Sequence, residues 1–191
     1  MFTGIVKELL SIKSIQHGDV LTVTLTKPNW GEVTVGESIL LNGICSTITL
    51  ITDSSFTVEY MAETMKLTTV SSWRVGDKIN AEPALTLTTP LSGNLVYGHI
   101  DGVGNVLANN ANLTLQLPKE FMEYIILKGS LTIDGVNLTI SSINDDRVSV
   151  SLIPHTKKTT TLSRRLVEEL CNIELDYITK VIVSQVNRRK T

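Results

Sequence analysis

The segment Asn42-Gly43-Ile44-Cys45-Ser46-Thr47-Ile48 returns 92 residues later as Asp134-Gly135-Val136-Asn137-Leu138-Thr139-Ile140. The same offset carries Asn80 and Glu82 onto Asn172 and Glu174. An offset that stays constant over about forty positions predicts two copies of one fold, with a similar pocket in each copy. Because there are only two units, we interpret the chain as a duplicated domain and not as a solenoid.

Composition limits the classes of protein that can carry this duplication. The chain has 191 residues, of which 42% are hydrophobic and 19% charged, enough for two small cores. A net charge of −2 with interspersed signs argues against nucleic acids and anionic membranes as partners. The short cluster Arg188-Arg189-Lys190 is expected at a solvated helix end.

Targeting and metal signals are missing from the sequence. The opening residues lack the pattern of a signal peptide, and no run of 18 apolar residues occurs, so we expect a cytoplasmic protein. Cys45 and Cys171 occupy different positions in the two copies and have no CxxC spacing. The sequence therefore predicts reduced thiols and neither a disulfide nor a metal site.

Alternating short runs predict an all-β fold. Period-two patterns with β-branched residues occur at 21–25, 47–51, 56–60, 113–117, 131–133, 138–142 and 148–152, with turn signals between them. Each half is therefore expected to form a small closed barrel. Short helices are predicted at 62–67 and 118–126. The segment Ile153-Pro154-His155-Thr156 could be a helix-starting loop that presents backbone amides to a planar heterocycle, or a polar loop with only a structural role. The predicted boundaries are 1–94 and 95–175 for the barrels and 176–191 for a C-terminal helix.

The predicted C-terminal helix has an apolar stripe without a counterpart in the repeat. Leu175, Ile178, Ile182 and Val186 recur at helical spacing. The stripe could pack on its own barrel, or it could form an oligomer contact.

Differences between the copies indicate where the two pockets diverged. Asn137 replaces Cys45, and Lys128 replaces Gly36. A thiol with a tuned pKa can act as a nucleophile or proton donor, although a cysteine on an apolar strand is more often inert. Lys128 could orient an anionic ring oxygen or be an ordinary surface lysine. His99 lies between glycines and could transfer protons or serve only as a turn residue.

Several motifs together carry a resemblance to a known family. They are Met1-Phe2-Thr3-Gly4-Ile5-Val6, Asn42-Gly43-Ile44-Cys45, Glu63-Thr64, Gly98-His99-Ile100-Asp101-Gly102-Val103-Gly104, Lys128-Gly129-Ser130, Asp134-Gly135 and Leu152-Ile153-Pro154-His155-Thr156. Over nearly its whole length the chain resembles the α-type riboflavin synthases, which have two lumazine-binding repeats.

The resemblance implies two six-stranded Greek-key barrels, a homotrimer and a reaction without cofactor. In that reaction one 6,7-dimethyl-8-ribityllumazine donates a four-carbon unit to another, giving riboflavin and 5-amino-6-(ribitylamino)uracil. The active site would form between the first barrel of one subunit and the second barrel of another.

The resemblance also assigns residues to two pockets. The first pocket would use Gly4, Ile5, Val6, Cys45, Ser46, Thr47, Glu59, Tyr60, Met61, Ala62, Glu63 and Thr64. The second would use Gly98, His99, Ile100, Lys128, Asn137, Leu138, Thr139, Ser151, Leu152, Ile153, Pro154, His155 and Thr156. Cys45 and His99 are the expected catalytic participants in proton transfer and adduct chemistry.

Four positions depart from the family pattern. Ser46 stands where leucine is usual, Asn137 where serine is common, Asn94 where a second histidine is common, and Pro83 where arginine often follows the glutamate. Asn137 can still donate and accept hydrogen bonds, so ligand binding is expected to survive, whereas Asn94 removes a titratable group. The alternatives are a non-catalytic lumazine or flavin carrier and a β-barrel interaction module without a small ligand.

Overall fold

Two closed six-stranded antiparallel barrels make up most of the chain. The computed structural model describes residues 1–189, so Lys190 of the terminal basic cluster lies outside the described residues. The first barrel contains β1 (Glu8–His17), β2 (Leu21–Thr26), β3 (Ser38–Leu41), β4 (Ile44–Ile51), β5 (Ser55–Tyr60) and β6 (Lys78–Pro83). The second contains β7 (Gly102–Asn109), β8 (Leu113–Gln116), β9 (Ser130–Ile133), β10 (Val136–Asn144), β11 (Arg147–Val150) and β12 (Leu170–Leu175).

Both barrels have the same Greek-key strand order. The rings run β1-β2-β5-β4-β3-β6 and β7-β8-β11-β10-β9-β12, and the last strand of each pairs with the first. Strand alternation fills the interiors: Leu21, Val23 and Leu25 of β2 point inward, and the threonines between them are half-buried. The predicted all-β fold with two six-stranded barrels is confirmed.

Short helices interrupt the strands at equivalent places. The helices α1 (Ala62–Leu67) and α2 (Pro154–Thr159) each follow a barrel's fifth strand, and α3 (Tyr177–Arg188) follows β12. Helix α1 has the predicted bounds, and α2 begins in the segment considered as a helix-starting loop. The predicted helix at 118–126 is instead a 3-10 helix, Lys119–Tyr124, since the backbone nitrogen of Phe121 donates to the carbonyl of Pro118. Buried Phe121 holds this short segment against the second barrel.

The two barrels touch at matching hairpin turns. Asn42 and Gly43 have φ of +44° and +82°, and Asp134 and Gly135 have +46° and +78°, as a type I′ turn requires. A Cβ on Gly43 would lie 2.8 Å from the backbone nitrogen of Gly135. The repeated motif is therefore also a point of contact between the barrels.

Asn80 and Asn172 link the barrels by exchanging hydrogen bonds around this contact. The side-chain nitrogen of Asn80 donates to the carbonyl of Asp134 at 2.9 Å, and that of Asn172 donates to the carbonyl of Asn42 at 2.8 Å. The exchange relates the two repeats by an approximate twofold axis.

The side-chain oxygens of the same two asparagines also reach the opposite barrel. Asn80 accepts from the backbone nitrogen of Thr161 at 2.8 Å, and Asn172 accepts from that of Thr69 at 2.7 Å. All four residues are buried, so each barrel satisfies polar groups of the other that water does not reach.

The segment before each barrel's first strand also crosses to the other barrel. Phe2 and Val96 form an antiparallel bridge, with N–O distances of 2.7 and 3.0 Å. Val6 packs in the core of the second barrel, and Ile100 packs against the core of the first. Each barrel is therefore completed by a segment of the other repeat.

The 92-residue offset holds from β3 onward but not before it. Gly4 and Gly98 make equivalent contacts with the other barrel but are 94 residues apart. Val23 pairs with Val58 as Leu113 pairs with Val150, and Val23 and Leu113 are 90 residues apart. The constant offset therefore does not extend to the opening segment and first hairpin. The first hairpin is four residues longer than its counterpart, a change that a surface connection accommodates.

Helix α3 is attached to the second barrel through polar contacts. Asp176 caps the helix by accepting from the backbone nitrogen of Thr179 at 2.8 Å, and the Nζ of Lys180 lies 2.8 Å from Asp101. Leu175, predicted as part of the apolar stripe, belongs to β12 and is buried.

The apolar stripe of α3 itself is exposed. It consists of Ile178, Val181, Ile182 and Val186, whose side chains are 45–60% exposed. Val181 is a member of the stripe that the sequence pattern missed.

Among residues 1–189, no helix combines the length and the apolar character needed to cross a membrane.

Removing one asparagine of the exchange should destabilise the protein. Asn172→Ala leaves the backbone nitrogen of Thr69 and the carbonyl of Asn42 buried without these partners. We expect the free energy of unfolding, measured in urea, to fall by about 2–4 kcal/mol. The control Asn187→Ala removes only an exposed hydrogen bond to Glu123 and should change it by less than about 0.5 kcal/mol. Similar small changes in both variants would contradict a structural role for the exchange.

Candidate functional site

The ends of β4 and β5 present alternate side chains to opposite sides of the first barrel wall. Ser46 and Tyr60 are buried, and their hydroxyl oxygens lie 2.8 Å apart. Burial raises the pKa of the Tyr60 phenol, which therefore stays neutral. Cys45 and Thr47 lie on the other face of β4 and reach solvent. Of the predicted pocket residues, Ser46 and Tyr60 thus have side chains directed into the barrel interior.

The second barrel presents a matching face. Partly or fully exposed positions that correspond in the two repeats are Cys45 and Asn137, Thr47 and Thr139, Glu59 and Ser151, Met61 and Ile153, Ala62 and Pro154, Glu63 and His155, and Thr64 and Thr156. Leu138 and Leu152 correspond to Ser46 and Tyr60 and are likewise buried. The chain therefore carries two equivalent surfaces, which we call the Cys45 face and the Asn137 face.

Each face includes a loop from the other repeat. The backbone nitrogen of Cys45 donates to the carbonyl of Gly98 at 2.9 Å, and that of Asn137 donates to the carbonyl of Gly4 at 2.9 Å. The approach is close: a Cβ on Gly98 would lie 2.6 Å from the Cβ of Cys45. Glycine is therefore required at this contact.

These contacts correct the predicted grouping of the loops. The family resemblance places Gly4, Ile5 and Val6 in the first pocket and Gly98, His99 and Ile100 in the second. The structure places the first loop beside Asn137 and the second beside Cys45, because the opening segments cross between barrels.

Two buried glutamates hold these loops in place. Glu82 accepts from the backbone nitrogens of Thr3 at 2.6 Å and Gly4 at 3.0 Å. Glu174 accepts from those of Tyr97 at 2.7 Å and Gly98 at 2.9 Å. Sequence reasoning used both glutamates only to mark the repeat, although a charged residue at the same interior position of both copies was a usable signal.

Burial raises the pKa of both glutamates. For Glu174 the pKa rises to about 7, because loss of hydration outweighs the two backbone donors and the nearby Lys180. Burial also raises the pKa of Glu82, although hydrogen bonds from Thr3, Gly4 and Ile5 act to lower it. The loops beside both faces therefore rest on carboxyl groups that ionise less readily than exposed ones.

The two faces offer different chemistry at their matched centres. Cys45 supplies a half-buried thiol, whereas the side-chain oxygen of Asn137 is buried and accepts no hydrogen bond from residues 1–189. A buried acceptor without a partner is costly, and a ligand donor could satisfy it. One face thus supplies a thiol and the other an open acceptor.

Lys128 adjoins the Asn137 face in a strained backbone conformation. Its φ is +66°, and its backbone nitrogen donates at 3.1 Å to the carbonyl of Ile140, in the middle of the strand that carries Asn137. Gly36 occupies the matching position of the first repeat with φ +88°. A lysine where the backbone favours glycine points to a function for its side chain.

His99 is exposed on the loop beside Cys45. Its ring lies 6.1 Å from that of Tyr97, which in turn lies 4.6 Å from the ring of Tyr177 on α3. Asn94 donates through its side-chain nitrogen to Asp176, the cap of α3, at 3.1 Å. The position that lacks the expected histidine therefore has a structural contact.

Known proteins match this architecture along both repeats. The family model for the lumazine binding domain matches residues 3–84 and 97–176. Riboflavin synthase from Photobacterium leiognathi is 34% identical, with 100% of this chain and 94% of the relative covered. Riboflavin synthase from Bacillus subtilis (strain 168) is 37% identical, with 100% and 94% covered.

Solved structures also match the fold of this chain. The crystal structure of LumP complexed with riboflavin superposes with a TM-score of 0.83 at 26% identity, covering 92% of this chain and 99% of that one. LumP complexed with 6,7-dimethyl-8-(1'-D-ribityl) lumazine gives a TM-score of 0.82 at 25% identity with the same coverage.

The strain at Lys128 should be measurable as stability. Lys128→Gly removes a side chain from a left-handed backbone position and should raise the free energy of unfolding by up to about 1 kcal/mol. Glu168→Gly is the matched control for strain, because Glu168 has φ +73° where the first repeat has Gly76. Both variants should gain stability in urea denaturation. A loss of stability in Lys128→Gly alone would show that the lysine side chain makes a stabilising contact.

Proposed function

The chain belongs to the lumazine-binding domain family, and from this premise we propose that it is a riboflavin synthase. The names of its relatives indicate an enzyme of riboflavin biosynthesis. The proposed reaction is the dismutation of two 6,7-dimethyl-8-ribityllumazine molecules to riboflavin and 5-amino-6-(ribitylamino)uracil by transfer of a four-carbon unit. It uses no cofactor, and we place it in the cytoplasm.

The pairing of two equivalent but chemically different faces is the observation that supports this proposal most strongly. A dismutation needs two identical substrates in two different roles, donor and acceptor. Matched strands and helices in both repeats can hold the same heterocycle twice, while Cys45 against Asn137 and Gly36 against Lys128 make the two sites unequal.

The proposed roles follow from what each face offers. Cys45 and His99, brought to the same face by the Gly98 contact, take part in proton transfer and adduct chemistry at one lumazine. Asn137 and Lys128 bind and orient the other, with the unpaired oxygen of Asn137 accepting a ligand hydrogen bond. Most of the rate enhancement comes from holding the two substrates together, which can supply on the order of 7–11 kcal/mol.

A non-catalytic lumazine or flavin carrier is the second candidate. It is favoured by one observation, the likeness to LumP in complex with riboflavin and with the lumazine. The thiol of Cys45 favours the enzyme, because binding alone does not require it.

Incubation of the purified protein with the lumazine distinguishes the two candidates. In the presence of EDTA and without nucleotide, we expect one riboflavin for every two lumazines consumed, measured by chromatography with fluorescence detection. Tight binding of the lumazine without riboflavin after prolonged incubation would assign the chain to the carriers. Lys128→Gly should weaken lumazine binding, whereas Glu168→Gly should not.

The two cysteines should respond differently to substitution. Cys45→Ala should lower turnover by about 10²-fold and keep the fold, because it removes a proton donor at one face. Cys171 is fully buried, and burial raises the pKa of its thiol, so it is not poised to react. Cys171→Ala should cost about 1 kcal/mol of stability and leave turnover per folded molecule unchanged. Equal turnover in Cys45→Ala and the parent would remove the thiol from the mechanism.

We further propose that α3 holds the subunits of a homotrimer together. A single chain carries each face once, and a second subunit can bring an Asn137 face opposite a Cys45 face. The exposed stripe of α3 is apolar, and its opposite side is already anchored to Asp101 and Glu123. Burying the stripe in a subunit contact would remove this apolar surface from water.

Charge placed on the stripe should dissociate the trimer. The double variant Ile178→Glu, Ile182→Glu should give folded monomers in sedimentation velocity, because the subunit contact would have to bury two carboxylates. Its turnover should fall in proportion to the loss of trimer, or further. Ser184→Glu adds a charge to an exposed position of α3 outside the stripe and should keep both trimer and turnover. A double variant that stays trimeric and active would place the subunit contact elsewhere.

A further inference from the structure

A polar cleft lies between the barrels, away from both faces. Its volume is about 690 Å³, and no residue assigned to the lumazine pockets lines it. Its walls use matched positions of the repeats, including Thr69 with Thr161 and Trp73 with Arg165. The cleft therefore lies on the approximate twofold axis, and clefts between domains are frequent ligand sites.

The two walls differ where one hydroxyl has a partner and the other has none. The indole nitrogen of Trp73 donates to the Oγ1 of Thr69 at 3.3 Å. Arg165, at the matching position, is instead bound to Asp134 at 2.7 Å. The Oγ1 of Thr161 is left buried without a hydrogen bond among residues 1–189, and Thr161 is only 8% exposed. An unpaired buried hydroxyl is unfavourable unless a ligand or water completes it.

The charge of the lining favours an anion. It contains Arg74, Lys78, Arg164 and Arg165 against Asp77 and Glu169. Arg165 is engaged by Asp134 and by Glu169, the latter at 3.6 Å, and Lys78 donates to Ser11 at 2.6 Å.

Two arginines on opposite walls remain available. The guanidinium groups of Arg74 and Arg164 make no hydrogen bond or ion pair with residues 1–189. Arg74 comes from the first repeat and Arg164 from the second. Guanidinium groups approaching from two sides suit a tetrahedral oxyanion, which accepts donors from several directions.

We propose that this cleft binds a small phosphate-bearing anion, held by Arg74 and Arg164 and by the hydroxyl of Thr161. Such a ligand would join the 3-10 turns Thr69–Ser72 and Leu162–Arg164, which follow α1 and α2 directly. Its binding would therefore stabilise the barrels against each other. This proposal does not depend on the enzymatic activity proposed above.

Pyrophosphate is a suitable probe, and Trp73 is a built-in reporter. The sequence has one other tryptophan, so Trp30→Phe isolates the signal of Trp73 in the cleft wall. At constant ionic strength, we expect a saturable change in Trp73 fluorescence below about 10 mM and a rise in Tm. Citrate at equal charge should give neither.

Substitutions test whether pyrophosphate binds in the cleft. Arg164→Ala should weaken pyrophosphate binding about 10-fold or more, whereas Arg147→Ala, an exposed arginine outside the cleft, and Lys128→Gly should leave it unchanged. Thr161→Val should weaken binding several-fold while leaving the unliganded protein as stable or more stable, because it removes an unpaired hydroxyl.

Three results would overturn the proposal: no saturable response in the parent, the same response in Arg164→Ala, or an equal response to citrate.

Discussion

The reciprocal hydrogen bonds of Asn80 and Asn172 are the constraint on which the rest of the structure depends. Each side-chain amide crosses to the other barrel, where it satisfies one carbonyl and one backbone nitrogen that are buried from water. Each asparagine also donates, through its own backbone nitrogen, to a side-chain oxygen of the turn residue of its own barrel, Asn42 or Asp134. One residue type at one repeated position therefore fixes the hairpin turn and the position of the second barrel together. Hydrophobic residues at both positions would leave four backbone groups of the contact unpaired.

This fixed contact determines how the candidate faces are assembled. Once the barrels are related by an approximate twofold axis, the segments ahead of β1 and β7 meet at Phe2 and Val96 and continue onto opposite barrels. Glu82 and Glu174 then hold the Gly4 and Gly98 loops beside Asn137 and Cys45. Neither face is complete within one repeat. A duplicated domain whose copies complete each other cannot lose one copy, and this explains why both keep the same internal glutamate and asparagine although their outward residues have diverged.

Local patterns in the sequence predicted much of the fold, and their failures have physical causes. Period-two alternation located seven of the twelve strands among residues 1–189, because inward and outward positions differ in burial along each of those strands. The same alternation could have shown that Ser46 faces inward if Cys45 faces outward. It could not show that Gly98 lies against Cys45, because local sequence patterns do not indicate which barrel a crossing segment contacts. The roles of Glu82 and Glu174 were missed for the same reason, as their partners lie 76–79 residues away.

The two repeats differ in the residues that occupy left-handed backbone positions. In the first repeat, Gly36 and Gly76 occupy left-handed positions at no steric cost, whereas the second repeat has Lys128 and Glu168 there. A non-glycine residue persists at such a position only if something offsets about 1 kcal/mol of strain. Lys128 adjoins the Asn137 face, where the side-chain oxygen of Asn137 is buried without a hydrogen-bond partner among residues 1–189. For Glu168 the structure offers no comparable reason. Strain beside an unsatisfied polar group is thus a stronger sign of function than strain alone, and it agrees with our proposal that the second barrel supplies polar ligand contacts while the first supplies the thiol.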